Sequence, residues 1–411
     1  MDTALSEPLS EADAEAYVGG ICFKTGPPTR VGVELEWLVR DQADSTRLVP
    51  PERLDPVLAP LFPPGGLPGG SRLTREPGGQ LELSTPPGES LAECVTTAAA
   101  DVDVLQAALG RAGAALEGRG LDPYRSPPRV LDHPRYQAME THFDRDGPWG
   151  RVMMRATAAV QISLDAGDDS DGPSGYRHRW QLAHRLGPVL VAAFANSPLW
   201  RGRRTGWVST RQRVWARTDP GRTLPPPPSA APREQWTRYA LDAPLLCLRR
   251  RSHNGAPADW TAPPQLSFRS WLRGGHPERP PTRADLAYHL STLFPPVRPR
   301  GWLELRMIDA QRGDGWIAAT AIATTLLDDP YAAKLAHAAT EPLTAPDIWL
   351  RAARHGPADP LLGPAVRTCV AAAESALYRS DPGGVPHRAV AAFAERYADR
   401  GRCPADDHLT D

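Results

Sequence analysis

Lysine is almost missing from this chain. Of 47 basic residues in 411, only Lys24 and Lys334 are lysines; all the others are arginines. A GC-rich coding bias accounts for most of this, since Ala, Gly and Pro are abundant as well. The scarcity still disfavours any site that holds phosphate through a lysine, and no GxxxxGK[ST] stretch occurs. Arginine or a bound cation must manage phosphate charge if the chain handles it. Cysteine is sparse and scattered: Cys22, Cys94, Cys247, Cys369 and Cys403, without a CxxC pair. That excludes a zinc ribbon and a disulfide framework, and points to reduced thiols in a cytoplasmic protein. No strand–GxGxxG–helix unit is present, so a dinucleotide-binding fold is excluded. The N-terminal stretch 1–15 is polar and acidic, unlike a signal peptide. No apolar run reaches bilayer length. The net charge of -1 leaves no electrostatic footprint for nucleic acid or an anionic membrane. A soluble, cytoplasmic protein is expected, with no nucleic-acid or membrane partner and with a monomer as the simplest state.

Strands and helices are interspersed. The alternation in 31–39 and 79–85 predicts strands, as does 301–308. Residues 153–165 read as one long strand. Ser90, three residues before Glu93, signals the start of a helix running to about 118. Further helices are expected over 52–60, 175–196 and 282–294, and across most of 313–400, with 206–215 beginning extended and continuing as helix. Residues 1–15 read as a tail or short helix, 16–400 as a single catalytic domain, and 401–411 as a loose tail. The class is α+β with a mainly antiparallel sheet.

The unusual feature is carboxylates set inside otherwise apolar strands. Glu34 and Glu36 share one strand face, because side chains two apart point the same way. Val33, Leu35 and Trp37 take the other face. Gln80, Glu82 and Ser84 repeat the pattern against Leu81 and Leu83, and Glu76 precedes a Pro-Gly-Gly turn that swings it back. Glu304 and Arg306 share a face, as do Arg155, Thr157, Gln161, Ser163 and Asp165 under the long-strand reading. A strand with one polar face is ordinarily a half-exposed strand. Here, however, the polar face is drawn from Glu, Gln and Arg rather than Thr, Ser and Lys. Crowded carboxylates on one face repel, which costs stability unless a cation sits between them. Mg²⁺ fits, since it takes oxygen ligands and commonly bridges carboxylates to substrate phosphates. A second segment, 205–222, gathers Arg211, Arg213, Arg217 and Arg222 among aromatic residues. It reads either as a solvated face or as a clamp for carboxylate or phosphate.

Five motifs occur in order: Gly32-Val33-Glu34-Leu35-Glu36; Glu76-Pro77-Gly78-Gly79-Gln80-Leu81-Glu82; Met154 to Asp165; Ser209-Thr210-Arg211; and Trp302-Leu303-Glu304-Leu305-Arg306. Together they resemble the glutamate–cysteine ligase family of the plant and actinobacterial kind, nearest its ergothioneine-biosynthesis branch. The resemblance covers roughly 30–380. It implies a glutamine-synthetase-like fold, a curved antiparallel sheet forming a funnel flanked by helices. It implies Glu34, Glu36, Glu76, Glu82 and Glu304 as ligands of two or more Mg²⁺ ions. Arg306 and Arg211, with Glu304, would act on the glutamate or the transferring phosphate, while Arg155, Thr157, Gln161 and Gln80 would seat an amino acid.

The reaction so implied joins the γ-carboxylate of L-glutamate to the amine of L-cysteine at the expense of ATP. It needs positioning and charge stabilisation rather than an enzyme nucleophile. Two alternatives stay open on the residues alone: a carboxylate–amine ligase using another amine, and an inactive relative that binds without turnover.

Overall fold

The computed structural model describes residues 7–251, 258–276 and 278–409. Its centre is a seven-stranded sheet in the order β2-β3-β1-β5-β9-β8, with β4 pairing the far end of β1. The strands are β1 Val31–Asp41, β2 Arg72–Arg75, β3 Leu81–Ser84, β4 Ala114–Glu117 and β5 Ala159–Asp165. A small separate ribbon, β6 Leu199–Trp200 and β7 Arg203–Arg204, follows, and then β8 Val297–Pro299 and β9 Trp302–Asp309. Every pairing between these strands is antiparallel.

One face of the sheet is a conventional core. Val33, Leu35 and Trp37 of β1 and Leu81 and Leu83 of β3 are buried there with Leu303 and Leu305 of β9. Helices pack on that side, among them Leu91–Arg111, whose start is capped by Ser90 accepting from the Glu93 amide at 3.2 Å. The long helices Tyr176–Phe194, Gly315–Asp328 and Leu362–Ser380 extend the same core. Gly315–Asp328 is apolar nearly all round and is correspondingly buried.

The other face carries the polar side chains and has a separate, smaller roof. Met139, Phe143, Met153, Met154, Val214 and Leu246 form it, with Phe294 and Trp215 at the edge. The Arg306 guanidinium lies 6.0 Å from the centroid of the Phe294 ring, which sets this cluster on the carboxylate side. A cleft lined with charge is thereby enclosed between the sheet and the roof.

Three expectations need correction. Residues 153–165 are not one strand: a helix, Trp149–Ala156, ends at Thr157, and β5 begins at Ala159. Gly150, Met153 and Met154 are all buried at helical spacing, so the roof captures this stretch as a helix. The first fifteen residues do not behave as a unit, because the helix Glu11–Cys22 crosses that boundary. Glu11 pairs with Arg269 at 2.5 Å and with Arg273 at 2.8 Å, tying this helix to the body; residues 1–6 lie outside the described residues. Nor is 401–409 loose, for Cys403 and Ala405 are buried and His408 Nε2 bonds Asn196 Oδ1 at 2.8 Å. Residues 410 and 411 lie outside the described residues. Among the described residues no helix is long and apolar enough to cross a membrane.

Candidate active site

Strand register assembles the cleft. Glu36 of β1 faces Glu82 of β3 directly, and Glu34 stands between Ser84 on β3 and Gln161 on β5. Glu304 of β9 pairs with Ser163 on one side and with Arg298 of β8 on the other. A register shift between Val160 and Ile162 opposite β9 turns Gln161 into reach of Arg306. Glu76 joins through a tight turn: its amide donates to the Gln80 carbonyl at 2.8 Å, and Gly79 donates back to Glu76 at 2.9 Å.

A hydrogen-bonded chain crosses four strands. Arg298 grips Glu304 with both arms, Nε at 2.7 Å and Nη2 at 2.8 Å. Arg306 Nη1 donates to Glu304 Oε1 at 2.6 Å and also to Gln161 Oε1. The amide nitrogen of Gln161 then donates to Glu36 Oε1 at 2.5 Å. Glu304 is fully buried. Burial would push its carboxyl up, but Arg298 and Arg306 together outweigh that and hold it well below the ordinary carboxylate range.

The remaining carboxylates are not neutralised in this way. Burial, then the charges of Glu304 and Glu82, push Glu34 up to about 7. Burial, then Glu82 and Glu36, push Glu76 up to about 8. Glu36 and Glu82 are raised mainly by burial, Glu82 also by Glu36; Arg211 and Arg306 pull Glu36 the other way. Glu82 accepts only hydroxyls, from Thr74 at 3.2 Å and Ser84 at 3.1 Å. These four side chains thus present oxygen ligands that no guanidinium among the described residues bonds, and a divalent cation of the Mg²⁺ kind among them would favour their charged forms. In this arrangement no three acidic, histidine or cysteine side chains among the described residues converge closely enough to share one ion. The set fits a cation in chemistry, with side-chain rotation needed to close on it. Glu304 fits less well, because both of its oxygens are engaged by arginine.

Arg211 lies beside this chain. It is nearly fully buried in the helix Thr210–Trp215 and donates from Nη2 to the Arg306 carbonyl at 2.9 Å. Its Nε and Nη1 make no hydrogen bond. Asp309 holds it in place: one carboxylate oxygen stands 3.7 Å from Arg211 Nη1, and the carboxylate accepts from Ser209 Oγ at 3.0 Å and Ser197 Oγ at 2.7 Å. Two unused donors on a buried guanidinium, beside Glu36, are suited to an anionic ligand. The other arginines of this segment turn elsewhere. Arg213 and Arg217 stack on Trp149 at 5.8 and 5.2 Å, and Arg222 is buried on Asp219 at 3.1 Å.

Glu34, Glu36, Glu76, Glu82, Glu304, Arg306, Gln161 and Arg211 are therefore brought together. Arg155, Thr157 and Gln80 are not presented in the same way. Arg155 Nε donates to Glu140 at 3.0 Å, Thr157 Oγ1 to the Met153 carbonyl at 2.7 Å, and Gln80 Nε2 to the Thr157 carbonyl at 2.9 Å. The parity of Arg155 and Thr157 with Gln161 depended on a long strand that does not form, while Gln80 precedes β3 with both amide atoms bonded to backbone, so these three brace the cleft wall. Sequence reasoning missed Arg298 and Asp309. The signal for Arg298 was an arginine six residues before Glu304 across a short hairpin, with Gly301 at φ 93° in the turn.

Comparison with known proteins identifies the family. The family model described as glutamate–cysteine ligase family 2 matches residues 30–411. The glutamate–cysteine ligase EgtA of Mycobacterium tuberculosis is 41% identical over 99% of this chain and 92% of its own length. EgtA of Mycolicibacterium smegmatis is 42% identical over 90% of this chain and 86% of its own. The chloroplastic glutamate–cysteine ligase of Brassica juncea is 32% identical over 59% of this chain and 46% of its own. In fold, the chain is similar to the crystal structure of a glutamate–cysteine ligase from Francisella tularensis in complex with AMP, at TM-score 0.51 and 11% identity, covering 94% of this chain and 85% of that one. The chain belongs to glutamate–cysteine ligase family 2.

Proposed function

We propose that this protein is an ATP- and Mg²⁺-dependent glutamate–cysteine ligase, its product γ-glutamylcysteine feeding ergothioneine biosynthesis. The observation that carries the chemistry is the row of Glu34, Glu36, Glu76 and Glu82 facing Arg211 and Arg306 in one cleft. The near full-length likeness to the mycobacterial enzymes supports the choice of substrates. Glu34, Glu36, Glu76 and Glu82 would hold the cation, which offsets the charge of the triphosphate.

A γ-carboxylate oxygen of glutamate attacks the terminal phosphorus of ATP. The bond from that phosphorus to the bridging oxygen breaks, and ADP leaves. The cysteine amine then attacks the acyl carbon of γ-glutamyl phosphate, loses a proton, and expels inorganic phosphate. Arg211 and Arg306 are placed to meet the carboxylate and the negative charge on the transferring group. Gln161 fixes Arg306 relative to Glu36, so donor and acceptor groups are set before substrate arrives. The test is ADP release in the presence of glutamate, cysteine and Mg²⁺. Release that depends on both amino acids supports the reading; release with glutamate but indifferent to cysteine overturns the assignment of the amine.

A further inference from the structure

Arg211 is supported from behind by groups that lead away from the cleft. Its amide nitrogen donates to Ser197 Oγ at 3.1 Å, and the same hydroxyl donates to Asp309 Oδ2 at 2.7 Å. That carboxylate oxygen also accepts from the Asn196 amide at 2.9 Å, while Oδ1 stands 3.7 Å from Arg211 Nη1. Residues 195–197 therefore set both the backbone of Arg211 and the anchor of its guanidinium. Ala195, Asn196, Ser197, Asp309 and Arg211 are all buried.

Behind 195–197 lies the short 3₁₀ helix Pro404–His408. The Ala405 amide donates to the Ala195 carbonyl at 2.9 Å, and Ala195, Cys403 and Ala405 pack together. Asn196 turns its oxygen to this helix. Its Nδ2 is committed to the Gly118 and Ala310 carbonyls, at 2.8 and 2.7 Å, so Oδ1 needs a donor from elsewhere. His408 Nε2 is that donor, at 2.8 Å. The bond requires a proton on Nε2. Burial, then the charges of Arg119 and Arg312, push His408 down to about 4, which keeps the ring neutral near pH 7. A buried acceptor left without a donor is costly, so loss of His408 favours a shift of 195–197 that finds Asn196 Oδ1 another partner.

We propose that His408 is a positioning residue for Arg211, acting through Asn196, Ser197 and Asp309. It rests on the reading above in which Arg211 meets the glutamate carboxylate or the transferring phosphoryl group. Nε and Nη1 of Arg211 make no hydrogen bond, so the aim of the guanidinium depends on the Asp309 carboxylate and the Arg306 carbonyl. A displaced Asp309 re-aims both free donors. The coupling runs through buried groups in direct hydrogen-bonded succession, with no gap between His408 and Arg211.

The test compares His408→Leu and His408→Asn with His408→Gln. Leucine has no donor and asparagine falls short, whereas the glutamine amide reaches about as far as Nε2. Tyr397→Phe is the control: it takes a hydroxyl from Asp407 in the same segment and leaves the His408–Asn196 bond in place. Thermal unfolding checks that each variant folds. Hydrogen exchange is followed by mass spectrometry over 195–197 and 209–215, and kcat/KM for glutamate and KM for ATP by steady-state kinetics. In the leucine and asparagine variants exchange should quicken in both segments. Their kcat/KM for glutamate should fall about fivefold or more, with KM for ATP within about twofold of wild type. Glutamine should restore both readouts. Wild-type exchange or wild-type kinetics in either of the first two variants overturns the proposal, as does a glutamine variant that restores neither. An equal defect in Tyr397→Phe overturns it too, by making the segment a general tether. A wild type that does not join glutamate to cysteine sinks the ligase reading alone, and exchange still decides whether His408 positions Arg211.

Discussion

Glu36 and Glu82 stand directly opposite one another in the antiparallel pairing of β1 with β3. Like charges in that position oppose folding. Among the described residues no guanidinium bonds Glu82, whose partners are the hydroxyls of Thr74 and Ser84. The fold therefore keeps a repulsive pair in its central sheet, a loss of stability of the sort found where a site must be ready for a cation. Glu82→Gln should stabilise the metal-free protein by about 1 kcal/mol while abolishing ligase turnover. Thermal unfolding in EDTA and then in Mg²⁺ measures both sides. Wild type should gain more from Mg²⁺ than the variant does. A variant less stable than wild type in EDTA would contradict the charge-crowding account.

Gln161 is the joint between the neutralised and the unneutralised halves of the site. Its oxygen accepts from Arg306 and its nitrogen donates to Glu36, so the amide orientation is fixed by the charges on either side. Gln161→Glu keeps the acceptor for Arg306 but sets a second carboxylate against Glu36. The expected outcome is a kcat at least tenfold lower, with the unfolding midpoint lowered slightly by the added like-charge contact. Since Gln161 bonds Arg306, which is proposed to meet the glutamate carboxylate, KM for glutamate is to be measured alongside. A change in KM alone would make it a binding contact rather than the positioning residue described here.

Much of this site was legible in the sequence because strand parity is a strict rule. Glu34 with Glu36, and Glu304 with Arg306, fell on common faces as the alternation required. Parity failed where tertiary packing chose the secondary structure. Met153 and Met154 have the apolar character of a strand but are captured by the roof as a helix, which removes Arg155 and Thr157 from the cleft face. Long-range partners were illegible for a different reason. Nothing local marks Asp309 as the anchor of Arg211, since the two are 98 residues apart in the chain and meet through Ser197 and Ser209. The state of Glu304 was hidden likewise. On sequence it reads as a cation ligand and a catalytic group together, whereas the hairpin joining β8 to β9 delivers Arg298 to both of its oxygens.

Arg298 is accordingly a stability residue whose removal should be severe. Replacing it with methionine keeps most of the volume but leaves the buried Glu304 dependent on Arg306 alone. Breaking a buried ion pair from one side costs about 3–5 kcal/mol, because an incompletely compensated charge stays behind. Arg298→Met should therefore lower stability in urea by about 3 kcal/mol. A loss under about 1 kcal/mol would show that Arg306 suffices for Glu304 and that the bidentate grip is dispensable.

Two histidines outside the site, His184 and His289, contribute to how the fold responds to acid. His184 bonds the Trp180 carbonyl through Nδ1 at 2.8 Å and packs edge-on to the Trp180 ring, while its Nε2 is buried without a partner. His289 bonds the Ala240 carbonyl through Nε2 at 2.7 Å, and its Nδ1 is likewise buried without a partner. A second proton on either ring would have no acceptor. Burial pushes His184 down to about 4; burial, then the charge of Arg222, pushes His289 down to about 3. Above the unfolded value of about 6.5 both states are neutral, and these groups make stability independent of pH. Below it the unfolded chain takes up protons that the folded chain refuses, so stability falls as pH falls. The penalty reaches about 2 kcal/mol for each histidine at pH 5 and is complete only below the folded values. Glu34 and Glu76, raised to about 7 and 8, act in the opposite direction over the same range, so the histidines' share of the decline from pH 7 to pH 5 is read as the difference between variant and wild-type urea midpoints. His184→Phe keeps an aromatic ring without a titrating group, and it should flatten that decline by about one proton's worth. An unchanged slope in the variant would mean that His184 protonates in the folded state at its ordinary pH, and that the Trp180 pocket admits a charge.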